Sequence, residues 1–599
     1  MTNRRQTSQI PSYQLVGHYG VGAIYELRSH WNDRQAGLHS VMVAGLDFWD
    51  TSKLQEIHDP ILENILHVKK LYMPSMPDDE GYSQSAIPAV RFPRWLVCTR
   101  CHRLGRVPQQ FNDENFSGPR CNATGCKGRG VPVRLVVACD SIDQDGRFHG
   151  HIDDFPWIEW VHKGGTTCDK PDLRLTVQPG STALSGLRVS CLNSSCKQYK
   201  VDNSLGDVLL DHVKFPCSGY RPWLNDRERC SNKSQVVFRH ASNIYFPHVI
   251  SAVSIPPYSQ ELYQRLQKTA DESIGRLQRD RRRSRETDWD DIFEGLREKH
   301  RWITHYTDDE IRKALESLAF VDGESLERHI VNEREALLKG YPESDRSAFV
   351  AKRIRSEFTP FIGSIIQSLV QVERLRVVQA LAGFHRIRAT GIPAELSRRP
   401  MDWRPAVEFH GEGIFVEFNQ DALASWASQT SIIRRVQPLR NSADPKHVSR
   451  THPISLMLHT VSHLLIKQLS LEAGYGMGSL RERLYIQPEG NPVMAGVLIY
   501  VAATSASGTL GGLARQATSE RIEELLRGAY DEARWCSSDP LCIETDRLTN
   551  DIRNLAACHA CCLISETACE WGNQFLDRAL IVGLPDETVP GFLQQAILS

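Results

Sequence analysis

The sequence predicts an α+β protein built from several domains. Its 599 residues are too many for a single hydrophobic core. The chain is 41% hydrophobic and 24% charged, which is the composition of an ordinary folded protein and not of a disordered one. Stretches rich in turns and strand-forming residues are separated from stretches of helical periodicity. We therefore expect helices and strands to dominate different regions of the chain.

The 16 cysteines fall into two groups along the chain. Ten lie between Cys98 and Cys230 and six lie between Cys536 and Cys569, with none between these groups. The N-terminus is polar and has no apolar core, so no secretory signal is expected. In a long chain of this kind, clustered thiols are expected to stay reduced and to bind metal. The pattern therefore predicts structural zinc ions and a cytoplasmic location.

Changes in composition predict four consecutive regions. The second is rich in strands, turns and cysteines, the third is helical and highly charged, and the fourth is again mixed and contains the last six cysteines. The predicted boundaries are an N-terminal α/β region over 1–94, a zinc-ribbon region over 95–257, a charged helical region over 258–391 and a mixed α/β zinc-binding domain over 392–599.

Local patterns predict individual elements within these regions. Val372, Leu375, Val378 and Leu381 recur near helical spacing, which predicts a helix. Residues 407–418 alternate around a glycine-containing centre, which predicts a hairpin with its turn at 411–413.

Three further elements are expected in the fourth region. The apolar run over 493–503 is about half as long as a membrane span requires, so we expect a buried strand and no membrane association. The three elements are an amphipathic helix over 454–469, a buried strand over 492–504 and a helix over 517–533.

The first cysteine cluster has the spacing of two metal-binding turns. Cys98 and Cys101 form a CxxC turn, and Cys121 and Cys126 form a second close pair. Zn²⁺ takes four thiolates at the corners of a tetrahedron, and each pair can supply two of them. The four cysteines are predicted to bind one structural zinc ion.

The second cluster has a looser spacing. Cys191 and Cys196 form a close pair, whereas Cys217 and Cys230 are separated by 12 residues. Two pairs of thiolates again suffice for a tetrahedral ion. These four cysteines are therefore predicted to bind a second zinc ion.

Two more cysteines lie near histidines in the same region. Cys139 and Cys168 lie near His149, His151 and His162 in the sequence, so these residues could form a third metal site. Their irregular spacing favours the alternative that both cysteines are small buried hydrophobic residues.

The C-terminal cluster predicts a further zinc ion. Its six thiols include a CxxC pair, and the ligand set is open. The predicted ligands are Cys536, Cys542, Cys558 and Cys561, with Cys562 and Cys569 as alternates. All of the predicted sites are closed, with no position for water. Such sites stabilise folds and do not hydrolyse bonds, so two or three structural zinc ions are expected in total.

No recognisable catalytic motif occurs in the sequence. The P-loop pattern and the GxSxG nucleophile elbow are both absent. His459 and His463 have the spacing of a zinc-protease helix, but Thr460 stands where the general-base glutamate would be. The favoured interpretation is two histidines that pack on a helix of a non-enzymatic protein. The alternative is a zinc-dependent nuclease or hydrolase that uses both histidines with a carboxylate such as Glu472 or Glu482.

The balance of charge limits the ways in which DNA could be bound. A formal net charge of −1 gives no overall attraction to nucleic acid, so contact would need a local basic surface. The densest basic run is 279–285, but acidic residues follow it, which favours a solvated helix surface. Arg434, Arg435 and Arg440 form a milder group. The glycine-rich segment 505–513 could hold a phosphate, although a simple strand-to-helix connection is favoured.

Short segments across the whole chain resemble the DISARM anti-phage family DrmB. In the N-terminal part these segments are Ser8-Gln9, Gly20–Ile24, Phe92–Cys101, His151–Trp157 and Arg374–Arg386. The part from Gly411 to Arg578 resembles the MrfA-like zinc-binding domain, which is also attached to several DNA helicases. The pattern that ends this domain is matched by Cys569, Asn573, Leu576 and Asp577.

The resemblance implies a non-enzymatic, zinc-binding subunit of a bacterial anti-phage system. Its implied partner is a DrmA-like helicase, with which it would pair on DNA. The absence of an ATPase motif agrees with a protein that accompanies a motor. In the helicase versions the cysteines are clustered more tightly, which makes Cys569 a candidate ligand in this chain.

Overall fold

A computed structural model gives the fold of this chain. It describes residues 10–28, 38–74, 87–113, 118–140, 142–143, 145–163, 165, 167–178, 180, 183–210, 212–320, 325–341, 347–355, 357–388, 391–442, 445–502, 512–546 and 553–598. Ser8-Gln9 and most of the glycine-rich segment 505–513 lie outside these residues.

Strands and helices both occur throughout the described chain, and the predicted α+β class is confirmed. The strands are β1 (Ile24–Arg28), β2 (Leu38–Val43), β3 (Gln55–Ile57), β4 (Lys70–Met73), β5 (Ala89–Arg91), β6 (Trp95–Cys98), β7 (Arg103–Arg106), β8 (Phe111–Asn112), β9 (Arg120–Cys121), β10 (Gly130–Pro132), β11 (Leu135–Ala138), β12 (Ile152–Asp154), β13 (Leu173–Val177), β14 (Leu187–Cys191), β15 (Asn203–Ser204), β16 (Lys214–Pro216), β17 (Tyr220–Arg221), β18 (Asp226–Arg227), β19 (Lys233–Phe238), β20 (Phe246–Val253), β21 (Val350–Arg353), β22 (Ile366–His385), β23 (Trp403–Phe418), β24 (Leu480–Gln487) and β25 (Met494–Val501).

The α-helices are concentrated after residue 260. They are α1 (Ser12–Val16), α2 (Pro60–Ile65), α3 (Trp157–His162), α4 (Glu261–Thr269), α5 (Asp271–Arg282), α6 (Trp289–Lys299), α7 (Asp308–Ala319), α8 (Leu326–Lys339), α9 (Pro360–Ile365), α10 (Gln420–Ala427), α11 (Thr430–Ser442), α12 (Pro453–Ala473), α13 (Ser519–Ala533), α14 (Ala579–Val582) and α15 (Phe592–Leu598).

Contacts between residues group the chain into two compact units, each assembled from segments that are distant in sequence. The first unit comprises Met1–Glu56, Tyr72–Ile250 and Ala380–Ala406, and the second comprises Ile57–Leu71, Ser251–Gln379 and Val407–Ser599. Sheet pairing joins distant segments, so these units do not follow the four consecutive regions expected from composition.

The first unit is built mainly from small antiparallel sheets of short strands. One has the strand order β10-β6-β7-β13-β14-β15 and another the order β12-β11-β19-β16. Strands β8 and β9, which lie between β7 and β10 in the chain, form a separate two-stranded pair. Phe155, Trp157 and Val189 are buried in the shared core.

The second unit contains a larger sheet with the order β20-β22-β23-β25-β24. Helix α12 packs against β24 and β25, and its apolar residues share a core with Val497 and Ile499. In a second hydrophobic cluster, Leu498 and Tyr500 of the same strand β25 pack with Ala336 of α8. The sheet is therefore covered by helices, which explains why β25 is buried along its whole length.

Strands β22 and β23 correct two predictions. The predicted helix from Val372 to Leu381 is wrong, because this segment is part of a 20-residue strand. Its apolar residues are buried within the sheet and do not form one face of a helix. The predicted charged helical region over 258–391 is accordingly helical mainly up to Lys339, and β21 and β22 follow. The predicted hairpin is also wrong, because β23 runs straight through residues 411–413. A Cβ at Gly411 would collide with the carbonyl of Val501, so this glycine serves close strand packing.

The other three expected elements are present. Helix α12, strand β25 and helix α13 occupy the predicted segments. Helix α12 begins where the His452 side chain accepts a hydrogen bond from Ile454 N, and it ends at Gly474, which has a positive φ of 73°. It is buried on nearly every face rather than on one. No helix in the part of the chain that the structure describes has the length and apolar character needed to cross a membrane.

Strand β24 presents successive charged residues to opposite sides of the sheet. Arg483 donates to both carboxylate oxygens of Glu333 at 2.9 Å, and to Glu570 at 2.8 Å. Glu333 is fully buried and also accepts a hydrogen bond from Tyr485 Oη at 3.0 Å. The preceding residue, Glu482, is buried on the side of α12 and accepts from Ser462 Oγ at 2.6 Å. A satisfied ionic network therefore fixes this edge of the sheet.

The replacement Arg483→Met should destabilise the second unit. It leaves Glu333 buried without its bidentate partner, and breaking such a pair costs about 3–5 kcal/mol. Urea unfolding followed by tryptophan fluorescence measures the change. The control is Lys299→Met, which removes an exposed pair with Glu272 and should change the free energy of unfolding by about 1 kcal/mol or less. Equal effects of the two replacements would contradict this account.

Candidate metal centres

Four groups of side chains each bring four cysteine or histidine ligand atoms within 4.8 Å of one another. They are centre 1 (Cys98, Cys101, Cys121, Cys126), centre 2 (Cys139, His151, Cys217, Cys230), centre 3 (His162, Cys168, Cys191, Cys196) and centre 4 (Cys536, Cys542, Cys558, Cys561). The first three belong to the first unit and the fourth to the second.

Centre 1 unites the four cysteines predicted from the first cluster. Cys98 closes strand β6 and Cys121 closes β9, and their partners lie in the turns that follow. The sulfur–sulfur distances are 3.6 Å for Cys98 and Cys126 and 3.7 Å for Cys101 and Cys121. Burial raises the pKa of Cys121 to about 12, whereas a hydrogen bond from Gly128 N lowers the pKa of Cys126 to about 7.

A glycine makes this arrangement possible. A Cβ at residue 128 would collide with the sulfur of Cys98, so no larger residue fits between the two turns. Gly125 has a positive φ of 73°, which an L side chain rarely adopts. Both glycines are therefore part of the local geometry that closes centre 1.

The predicted second cluster is wrong as a single site. Cys191 and Cys196 lie in centre 3, whereas Cys217 and Cys230 lie in centre 2. The two pairs separate because Cys191 ends β14 in one sheet, whereas Cys217 follows β16 in another. Each pair is completed by one further cysteine and one histidine.

Centre 2 is completed by Cys139 and His151. Nδ1 of His151 lies 3.4 Å from the Cys217 sulfur, and the sulfurs of Cys139 and Cys230 are 4.0 Å apart. The Nε2 atom of the same histidine contacts the Glu228 carboxylate at 2.5 Å, an outer contact typical of metal-bound histidines. Contact with Cys139 and with His151 lowers the pKa of Cys217 to about 3, which favours the thiolate that zinc binds.

Centre 3 is completed by His162 and Cys168. Nε2 of His162 lies 3.3 Å from the Cys196 sulfur and 3.7 Å from the Cys168 sulfur. Its Nδ1 atom donates to the carbonyl of Ile158 at 2.6 Å, which leaves Nε2 free of a proton in the neutral ring. Cys168 and Cys191 are 3.8 Å apart.

The favoured prediction that Cys139 and Cys168 are small buried hydrophobic residues is therefore wrong. Each is the cysteine that, with one histidine, completes a group of four. His149 is not in either group and contacts Glu228 through Nδ1 at 2.6 Å. The sequence has one signal for centre 3. Only five residues separate His162 and Cys168, a close spacing that resembles that of Cys191 and Cys196.

Centre 4 unites the four preferred ligands of the C-terminal cluster. The sulfurs of Cys536 and Cys558 are 3.4 Å apart, and those of Cys542 and Cys561 are 3.7 Å apart. Contact with the neighbouring Cys562 lowers the pKa of the Cys561 thiol to about 5. The first loop of the centre is fixed by Asp539, which accepts from Cys536 N at 2.8 Å and from Arg578 at 2.6 Å.

The two alternates are not members of centre 4. Cys562 lies beside it, with its carbonyl accepting a hydrogen bond from His463 at 2.9 Å. Cys569 is in another group, together with His459, His463 and Glu482. Glu472, the other carboxylate considered for a hydrolase, instead pairs with Arg521 at 2.6 Å.

Zinc fits the donor sets of all four centres. In each, the sulfur of at least one cysteine accepts a hydrogen bond at 3.4 Å from the backbone N–H two residues later. These pairs are Cys98 with Arg100, Cys126 with Gly128, Cys196 with Gln198, Cys217 with Gly219 and Cys536 with Ser538. Such bonds stabilise a thiolate, and sets of three or four thiolates select zinc. These residues would hold the metal with no position left for water, so the metal would cross-link the fold.

Comparison with known proteins agrees with this geometry. A family model described as "MrfA Zn-binding domain" matches residues 461–562, a range that contains all four ligands of centre 4. Another, described as "Domain of unknown function (DUF8724)", matches residues 12–246. The fold and the centres thus define a protein with a MrfA Zn-binding domain and additional cysteine-rich clusters.

One curated relative covers nearly the whole chain. The DISARM protein DrmB of Bacillus paralicheniformis is 30% identical over 605 residues, which cover 93% of this chain and 98% of the relative. The chain belongs to the family of the DISARM protein DrmB. Among solved structures, the helicase MrfA bound to DNA matches with 13% identity and a TM-score of 0.17, covering 32% of this chain and 21% of that one. A likeness this slight carries no argument.

Replacing either completing histidine should remove one zinc ion per chain. We expect His151→Ala and His162→Ala each to lower the zinc content by one, because each removes a ligand from a different centre. Elemental analysis of the purified chain measures this change. The control His305→Ala alters an exposed histidine of neither centre and should leave the content unchanged. Unchanged zinc in both centre variants would instead support one site formed by Cys191, Cys196, Cys217 and Cys230.

Proposed function

We propose that the chain is a non-catalytic, zinc-binding subunit that partners a DrmA-like DNA helicase on DNA in a bacterial anti-phage (DISARM) system. The observation that carries this proposal is the closure of all four metal centres by protein ligands. A closed zinc site stabilises a fold and leaves no position where water could be activated. Membership of the DrmB family supports the defence role.

Partnership with a helicase rests on two supports. The sequence has no P-loop pattern, so it lacks the usual means of ATP hydrolysis. Its C-terminal part matches a domain named after MrfA. A protein of this kind would act beside a motor, with cytoplasmic DNA as the shared substrate.

The hydrolase alternative gains no support from the described residues. His459 and His463 are fully buried, and Glu482 lies against them. A hydrolytic zinc needs an open coordination position that both water and substrate can reach. Here the Cys569 sulfur lies 3.2 Å from His459 Nε2, so it would take the coordination position that water needs. Catalysis through these residues would require the surrounding core to open.

The C-terminal end of α5 offers a local basic surface for DNA. Arg282, Arg283 and Arg285 are exposed, and Arg279 is exposed one turn earlier. The adjacent Arg276 is instead held by Asp291. Exposed arginines of this kind can contact phosphates by releasing counterions, without reading the base sequence.

The partnership is tested by purifying the chain together with a DrmA-like helicase. We expect the two to elute together, and ATP turnover to require the helicase, because only that partner would have a P-loop. ATPase activity is measured for each protein alone and for the complex. A helicase variant with its P-loop lysine replaced is the control. ATP hydrolysis by the present chain alone would overturn the subunit assignment.

Neutralising the basic end of α5 should weaken DNA binding by the complex. In the triple variant Arg282→Gln, Arg283→Gln, Arg285→Gln, the slope of log K against log salt should fall by about 0.9 for each DNA phosphate that is no longer neutralised. Fluorescence anisotropy at several salt concentrations measures this slope. The matched control, Lys53→Gln, Lys299→Gln, Lys313→Gln, removes the same charge from residues that are paired with acids. An identical decrease in both variants would reject a specific role for this surface.

A further inference from the structure

A fifth group of ligand-type side chains lies inside the core of the second unit. It consists of His459 and His463 from α12, Glu482 from β24 and Cys569 from the C-terminal segment. Both histidines are 0% exposed, and Glu482 and Cys569 are also buried. The four ligand atoms lie within 4.8 Å of one another. Helix, strand and C-terminal segment thus meet at a single point.

The two histidines have the same tautomer and the same orientation. His459 Nδ1 lies 3.2 Å from the carbonyl oxygen of Phe575, and His463 Nδ1 lies 2.9 Å from that of Cys562. A carbonyl can only accept, so each Nδ1 atom has the proton and donates it. In the neutral rings both Nε2 atoms then have a lone pair directed at Glu482 and Cys569. This is the arrangement of metal-bound histidines, whose outer N–H is held by a backbone carbonyl.

One of these nitrogens has no hydrogen-bond partner among the described residues. His463 Nε2 is buried and lies 3.6 Å from Glu482 Oε1, beyond hydrogen-bond range. A buried ring nitrogen without a partner is destabilising, because it has lost its hydrogen bonds to water. The neighbouring His459 Nε2 is 3.2 Å from the same carboxylate oxygen and 3.2 Å from the Cys569 sulfur. A cation between these atoms would satisfy all of them.

The acidic ligands are held in place by outer hydrogen bonds. Glu482 accepts from Ser462 Oγ at 2.6 Å on one oxygen and from Glu570 N at 3.0 Å on the other. The Cys569 sulfur accepts from Asn573 N at 3.1 Å. These donors support a carboxylate and a thiolate, so the site is prepared for a positive ion.

The distances fit a tetrahedron around zinc. Ligand bonds of about 2.0–2.3 Å place tetrahedral ligand atoms roughly 3.3–3.8 Å apart. Three of the six separations here are 3.2, 3.2 and 3.6 Å, and all six are within 4.8 Å. Two neutral imidazoles, one carboxylate and one thiolate around Zn²⁺ also give a net charge of zero. Neutrality is what a fully buried site requires.

We infer that His459, His463, Glu482 and Cys569 form a fifth, closed structural zinc site in the core of the second unit. The ion joins α12 to β24 and to the segment that begins at Cys569. Glu570, the next residue, binds Arg483 on the opposite side of β24. The zinc and the ionic network would therefore hold the C-terminal segment from both faces of one strand.

Zinc content and position test this inference in the full chain. We expect five zinc ions per wild-type chain, and anomalous scattering at the zinc edge should give a peak between the four ligand atoms. Cys569→Ser and Glu482→Gln should each lower the content by one ion. Ser368→Ala is the control, since this buried residue of β22 belongs to none of the five groups, and its zinc content should equal that of the wild type.

The wild-type measurement keeps the inference testable if a variant fails to fold. Four ions per chain and no anomalous peak at this point would overturn it, as would a peak given by iron in place of zinc. The result does not depend on the helicase partnership. Unchanged zinc in the variants of centres 2 and 3, together with an anomalous peak at this point, would separate failure of those centres from failure of the fifth.

Discussion

Closure of tetrahedral cysteine and histidine groups is the constraint on which the first unit depends. Its strands are short, and many have only two to five residues. Strands of that length cannot bury enough apolar surface to be stable alone. The ligands lie where these strands end, as Cys98 does in β6 and Cys191 in β14. Metal bound in these places would contribute folding free energy that the small cores lack.

The second unit is stabilised differently. Its sheet has long buried strands and is covered by helices, so hydrophobic burial supplies most of its stability. A polar residue in such a core is costly unless it is hydrogen-bonded or paired. Arg483 with Glu333 satisfies this requirement through direct ion pairing. The neighbouring Glu482 faces two histidines, and a positive ion there would complete its environment.

These two modes of stabilisation suit the proposed role of a subunit that offers surfaces to its partners. Each of the four centres and the fifth group has four protein donors, and the two histidines with zinc-protease spacing, His459 and His463, lie deep in the core. The proposed role beside a helicase needs rigid units with stable surfaces. Zinc bound at the centres of both units, together with the buried sheet of the second unit, would provide that rigidity.

The sequence determined the α+β class. It also predicted the two sets of four cysteines that the structure brings together in centres 1 and 4. Close CxxC and CxxxxC pairs are local signals, and their geometry is set by a single turn. Helix α12, strand β25 and helix α13 were predictable for the same reason, since length and apolar pattern are local properties.

Only the tertiary structure decided which distant residues meet. His151 and His162 complete centres 2 and 3 because separate sheets bring them to Cys217 and Cys196, and no spacing along the chain encodes that pairing. Sheet formation likewise overrode the helical spacing of Val372 and Leu375 within β22. Glu482 and Cys569 meet His459 only because β24 and the C-terminal segment pack on α12. Local sequence sets which ligands are available, whereas long-range strand pairing and core packing select the partners of each.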